Sequence, residues 1–157
     1  MCGIIGISSN KSVSANIINS LRKLEYRGYD SAGIATLSNG IINEVKSEGR
    51  VDNLEKNFDL KNLSGNIGIG HVRWATHGIP NSINAHPHSS DSVSVVHNGI
   101  IENSTLLKKH LVSRGHVFKS QTDTEVIAHL ITENLKTTKL QEAITKTLKQ
   151  LHGSFAL

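Results

Sequence analysis

Asn39-Gly40 stands between two short runs of strand character, residues 33–37 and 41–45. Both members of such a pair tolerate positive φ, and a two-residue turn of that kind matches the twist of the strands it joins. An antiparallel hairpin early in the chain is therefore the strongest constraint on the fold. Other segments extend it. Residues 3–7 form an apolar, glycine-interrupted strand. Residues 66–74 form another, in which Gly68 and Gly70 allow close backbone approach. Residues 93–96 and 153–157 are strand-like as well.

Helical spacing appears at Ile17, Ile18, Leu21 and Leu24, with Ser12 or Ser14 as N-cap, and again over residues 104–113 and 140–151. Residues 51–58 give a weaker helix. Thr122-Asp123-Thr124-Glu125 fits a capping box that opens a helix to residue 135, after a short strand at 116–118. Residues 26–31 read as a loop in which Asp30 and Ser31 pack or cap locally. Residues 75–91 have no period and hold both prolines, and an irregular stretch of that length is commonly functional. Strands at both ends and in the middle, with helices between them, favour packed α and β layers.

The chain has 157 residues, enough for one domain with a real core. No apolar run approaches the ~20 residues of a membrane helix. The opening segment is too short for a signal-peptide core, so neither membrane nor export is expected and the location is read as cytoplasmic. A single cysteine excludes an internal disulfide and suits a reducing compartment. The net charge is +4, but two Tyr, three Phe and one Trp offer little stacking surface for nucleic acid, so no such partner is expected. Nine histidines raise the question of a metal, yet there is no HExxH and no paired-cysteine spacing. The reading is no metal and no cofactor, with most histidines bonded to loop backbone. The final strand suggests a fragment of a longer protein.

Cys2 directly follows the initiator methionine. Removal of Met1 would leave a free α-amine and a thiol on one residue. Their reference pKa values, about 7.7–8.0 and about 8.5, let the amine accept the thiol proton near neutrality. Nucleophile and base are then the same residue. A buried inert cysteine is the alternative reading.

Five segments supply context: Cys2-Gly3-Ile4-Ile5-Gly6, residues 26–35 (YRGYDSAGIA), residues 71–78 (HVRWATHG), residues 97–103 (HNGIIEN) and residues 122–125 (TDTE). In this order they resemble the N-terminal-nucleophile glutamine amidotransferases, in the branch that supplies ammonia for amino-sugar synthesis. The resemblance implies an α+β fold, a four-layer αββα sandwich of two antiparallel sheets. It implies that residues 1–157 form a single glutaminase domain acting on L-glutamine. A sugar isomerase portion would follow in a homo-oligomeric full-length enzyme that aminates fructose 6-phosphate.

The resemblance also assigns roles. Cys2 is the nucleophile, and Asn98 and Gly99 form the oxyanion hole. Arg73, Thr76 and His77 meet the substrate carboxylate, Trp74 walls the pocket, Asp123 meets the substrate ammonium, and Arg27 supports the nucleophile. Each has a plainer reading. Asn98-Gly99 could be a turn, Arg73 a surface residue, Trp74 core, His77 a loop hydrogen bonder, and Asp123 an acid complementing a helix dipole. Two other functions stay open: another amidotransferase of this type, making phosphoribosylamine or asparagine, and a silent glutamine-binding module.

Overall fold

The computed structural model describes residues 2–60 and 63–157. Met1, whose removal the thiol chemistry requires, lies outside the described residues. Asn39 and Gly40 take φ values of 50° and 79°, and the turn they make joins β2 (Ser31–Ser38) to β3 (Ile41–Glu48) in the expected hairpin. β1 (Gly3–Ser8) and β4 (Ile67–Arg73) complete an antiparallel sheet of order β1-β4-β2-β3.

α1 (Ser14–Leu24) lies on one face of that sheet. Its Ile17, Ile18 and Leu21 pack with Ala32, Ile34 and Val72. The helix sits low because Gly70 has no side chain: a Cβ there would meet Ile17 at 2.5 Å. α2 (Asp52–Asn57) contributes Leu54 to the same cluster.

The second layer consists of two ladders. One pairs β5 (His88–Ser90) with β6 (Val93–Val95), the other β7 (Asn98–Ile101) with β8 (Gly153–Ala156). α3 (Ser104–Ser113), α4 (Glu125–Leu135) and α5 (Leu140–Gln150) pack over this layer. The second core joins Val95, Ile101, Leu111, Ile127, Leu130 and Leu151. Two apolar cores thus lie beneath the two sets of helices. Imidazoles fill part of the space between the layers: His71, His86, His88 and His97 are all buried.

Several local expectations fail for identifiable reasons. Neither Ser12 nor Ser14 caps α1; Val13 holds the N-cap position, with its N–H bonded to Gly65 O at 3.0 Å. Residues 116–118 form no strand, because His116 and Phe118 turn their rings onto His129. The capping box does not form either. Glu125 begins α4, and its carboxylate turns back to accept from Lys119 N at 2.9 Å and from Ser120 N and Oγ at 2.7 Å. The irregular stretch 75–91 ends in a strand, β5, which only pairing with β6 creates.

Candidate active site

The register of the first sheet sets the nucleophile in place. Gly3 pairs with Val72, so Cys2 lies beside the end of β4, where Arg73 and Trp74 leave the sheet. Trp74 N–H points at Cys2 Sγ at 3.4 Å, and Cys2 Sγ lies 3.7 Å from Trp74 O. Arg27, in the helical turn after α1, donates from Nε to Cys2 O at 3.0 Å. Asp30 fixes the same strand end: its N–H donates to Arg73 O at 3.2 Å and its carboxylate accepts from Ala75 N–H. Gly28 lets the two segments touch, since a Cβ there would meet the Arg73 carbonyl carbon at 2.5 Å.

Arg73 is buried, and its guanidinium bonds the carbonyls of His77, Gly78 and Ile79, which ties the loop after β4 against the strand. Burial lowers its pKa from 12.5, while Asp30, Cys2 and Asp123 act in the opposite sense. The surface reading of Arg73 is excluded by that burial. Trp74 is not core: half its surface is open and its ring meets Tyr29 edge-on at 6.2 Å. His77 Nδ1 and Thr76 Oγ1 are 3.2 Å apart on the loop.

The oxyanion candidates sit on β7. Alternate residues of an antiparallel strand turn their N–H and C=O to opposite edges. Glu102 N–H bonds His152 O at 2.9 Å on the β8 side. Asn98 and Ile100 face the same way, which leaves Gly99 N–H on the other edge, where Gly99 borders a cavity. Gly99 has φ 147°, and a Cβ there would meet Ser154 O at 2.3 Å, so glycine is required. Asn98-Gly99 is the start of a strand, not a turn.

Asp123 is buried two residues ahead of α4 and outside its first turn. Its Oδ2 accepts from Ile101 N–H at 2.7 Å, so the helix-dipole reading does not describe it.

All these elements meet around one cavity of about 330 Å³, near the small end of the ~300–1,000 Å³ usual for ligand sites. Cys2, Arg73, Trp74, Thr76, His77, Asn98, Gly99 and Asp123 all line it. Arg27 stands behind Cys2 instead. His86, His97, Thr122 and Thr124 also line the cavity and were not anticipated as site residues. Thr122 and Thr124 flank Asp123 in residues 122–125, a segment whose spacing predicts a cap and which also belongs to the motifs of the resemblance.

The histidines bond differently from expectation. Among the described residues, only His71 turns a ring nitrogen to backbone, with Nε2 2.9 Å from His97 O. His86 Nε2 and His97 Nδ1 both lie 2.8 Å from Thr124 Oγ1, and His88 Nε2 lies 3.0 Å from Thr122 Oγ1. Desolvation depresses His71 and His88 to about 3 and holds His86 well below 6.5, so all three are neutral. Among the described residues, no group of three or more His, Cys, Asp or Glu side chains is arranged to hold a metal.

A thiol, a buried guanidinium and a buried carboxylate thus line one cavity. The model of the glutamine amidotransferase domain family matches residues 71–157, and the chain belongs to that family. Among its relatives are the isomerizing glutamine–fructose-6-phosphate aminotransferases of Mesorhizobium japonicum, 54% identical over 158 residues, and of Pyrococcus horikoshii, 56% identical over 160. Both alignments take in 100% of this chain but only 26% and 27% of the relatives, so the chain spans about a quarter of their length. The glutamine phosphoribosylpyrophosphate amidotransferase of B. subtilis superposes with a TM-score of 0.85 at 30% identity, over 99% of this chain and 34% of that one. The fold is therefore the N-terminal-nucleophile type, with antiparallel sheets between helices.

Proposed function

We propose that residues 1–157 form a glutaminase domain that hydrolyses L-glutamine to glutamate and ammonia through Cys2, once Met1 has been removed. The observation that carries this reading is the convergence of Cys2, Arg73, Asp123 and Asn98-Gly99 on one cavity of amino-acid size. Arg73 and the Thr76–His77 loop bind the substrate α-carboxylate, and the buried Asp123 carboxylate binds the α-ammonium. The side-chain amide is then directed at the Cys2 thiol.

The Cys2 α-amine takes the thiol proton, and the thiolate attacks the amide carbon. The carbonyl oxygen becomes an oxyanion held by Gly99 N–H and the Asn98 side-chain amide. Collapse of this intermediate breaks the C–N bond. The departing nitrogen takes the proton from the α-ammonium and leaves as ammonia. Water, deprotonated by the same amine, attacks the thioester, releasing glutamate and restoring the thiol. Arg27 holds the Cys2 carbonyl and so steadies the residue that is both nucleophile and base. No step needs a cofactor.

The names of the curated relatives support a larger role. In a longer protein the ammonia passes to a sugar isomerase portion that aminates fructose 6-phosphate. A single cysteine, which can form no internal disulfide, fits the cytosol.

The test is the intact mass before and after exposure to a diazo-ketone analogue of glutamine. Loss of Met1 and a single adduct on Cys2 are expected, and Cys2→Ala should abolish both the adduct and glutamine turnover while glutamine still binds. Normal turnover in Cys2→Ala would end the mechanism. A chain that binds glutamine with Met1 retained and takes no label would be a silent binding module.

A further inference from the structure

Among the described residues, β7 has a strand on one side only, β8. On the cavity side its backbone is held by side chains. His97 O, just before the strand, faces His71 Nε2 at 2.9 Å. Ile101 N–H, at the far end, donates to Asp123 Oδ2 at 2.7 Å. Gly99 N–H lies midway between these two fixed points. The acid assigned to the substrate ammonium thus secures one end of the oxyanion strand. A histidine on β4, two residues before Arg73, secures the other.

That histidine is costly to bury. A carbonyl can only accept, so His71 Nε2 carries the proton and Nδ1 is a bare lone pair, buried with no hydrogen-bond partner among the described residues. A leucine or phenylalanine of similar size would fill the space without that penalty. The ring plane is nevertheless well fixed. His86 stacks on His71 at 4.0 Å and 13°, and His86 is in turn 2.8 Å from Thr124 Oγ1. The sheet makes room for this pile at Gly33, where a Cβ would meet His86 O at 2.1 Å. Packing by itself explains a ring at this position, but not a ring with a donor aimed at the His97 carbonyl.

We propose that His71 is a positioning residue for the oxyanion hole: by holding the His97 carbonyl it sets the height and tilt of the chain from which Asn98 and Gly99 present their donors. The inference rests on the glutaminase reading for its catalytic consequence, but not for the fixing of the strand. Desolvation keeps His71 neutral down to about pH 3, so the donor persists across any working range.

The test compares His71→Leu with His71→Gln, whose amide N–H reaches about as far as the imidazole Nε2. Leucine should lower kcat for glutamine about 10²-fold, the scale of a misplaced catalytic group, with KM within about threefold. Glutamine at this position should recover most of the loss. Independently of turnover, amide hydrogen exchange across residues 97–103 should rise in His71→Leu and stay near wild type in His71→Gln. If the leucine variant does not fold, His71→Asn replaces it, because its shorter amide falls short of the carbonyl. Wild-type kcat in the donor-less variant, equal damage in both variants, or unchanged exchange would each overturn the proposal. A wild-type chain that hydrolyses no glutamine, yet shows the exchange difference, would sink the glutaminase reading and leave the strand-fixing role standing.

Discussion

Asn98 and Gly99 illustrate how little room a single residue has at this site. Gly99 can be nothing else, because its φ is positive and Ser154 O occupies the place of a Cβ. Asn98 is half-buried at the cavity wall, where its side-chain amide borders the space a substrate would fill. Asn98→Ala should lower kcat for glutamine by about 10²–10³ with little change in KM, the loss seen when one oxyanion donor is removed. Steady-state ammonia release measures it, and an unchanged kcat would take Asn98 out of that role. Arg73 shows the complementary case. Its guanidinium holds three loop carbonyls, so its replacement would loosen the loop as well as remove the cation from the cavity wall.

At the scale of elements, the segment leading into α4 carries an unusual share of the organisation. Glu125 accepts three hydrogen bonds from Lys119 and Ser120 and lies 3.6 Å from His129 Nε2. Burial would raise its pKa, but the His129 ring beside it and the hydrogen bonds from the Ser120 hydroxyl and the Lys119 and Ser120 backbone prevail and bring it to about 2, from 4.5. A carboxylate whose folded pKa is depressed contributes stability above the unfolded pKa and loses it as pH falls through the folded one. Glu125 therefore stabilises the chain above about pH 4.5, and that contribution should disappear between about 4.5 and 2. Urea denaturation across this window should show a smaller pH-dependent loss for Glu125→Gln than for wild type; parallel curves would refute the assignment. Because Thr122, Asp123 and Thr124 immediately precede Glu125, the same anchoring also holds the cavity wall.

For the whole molecule, the consequence follows from how the layers meet. Each half has its own apolar core, and neutral imidazoles lie at the junction between them. Burial depresses the pKa of His71 and His88 from 6.5 to about 3. The unfolded chain therefore binds more protons between those limits, and stability is fully present above about pH 6.5 and falls as pH drops toward 3. His88→Gln removes one titrating ring and keeps a donor for Thr122. Its urea midpoint should decline less steeply than wild type from pH 6.5 to 4. An equal decline would mean that His88 is not buried in the neutral form.

Much of this was legible in one dimension, for stated reasons. The hairpin was readable because Asn39-Gly40 encodes its own positive φ, and α1, α3 and α5 because helical periodicity is local. Close packing at Gly68 and Gly70 was readable because a missing side chain has few other uses. The residues that meet at the cavity are reached in sequence only through a resemblance carried by several motifs in order, since each motif alone has a plainer reading. Other features depend on partners distant in sequence. β5 exists only through β6, and Glu125 turned away from a cap because the amides of Lys119 and Ser120 were within reach. The stretch 116–118 gave up strand form to pack against His129. Tertiary structure alone brought His71 under the His97 carbonyl and Asp123 under Ile101 N–H. A hydrogen bond across 26 or 22 residues leaves no periodic trace, because it depends on where two layers meet.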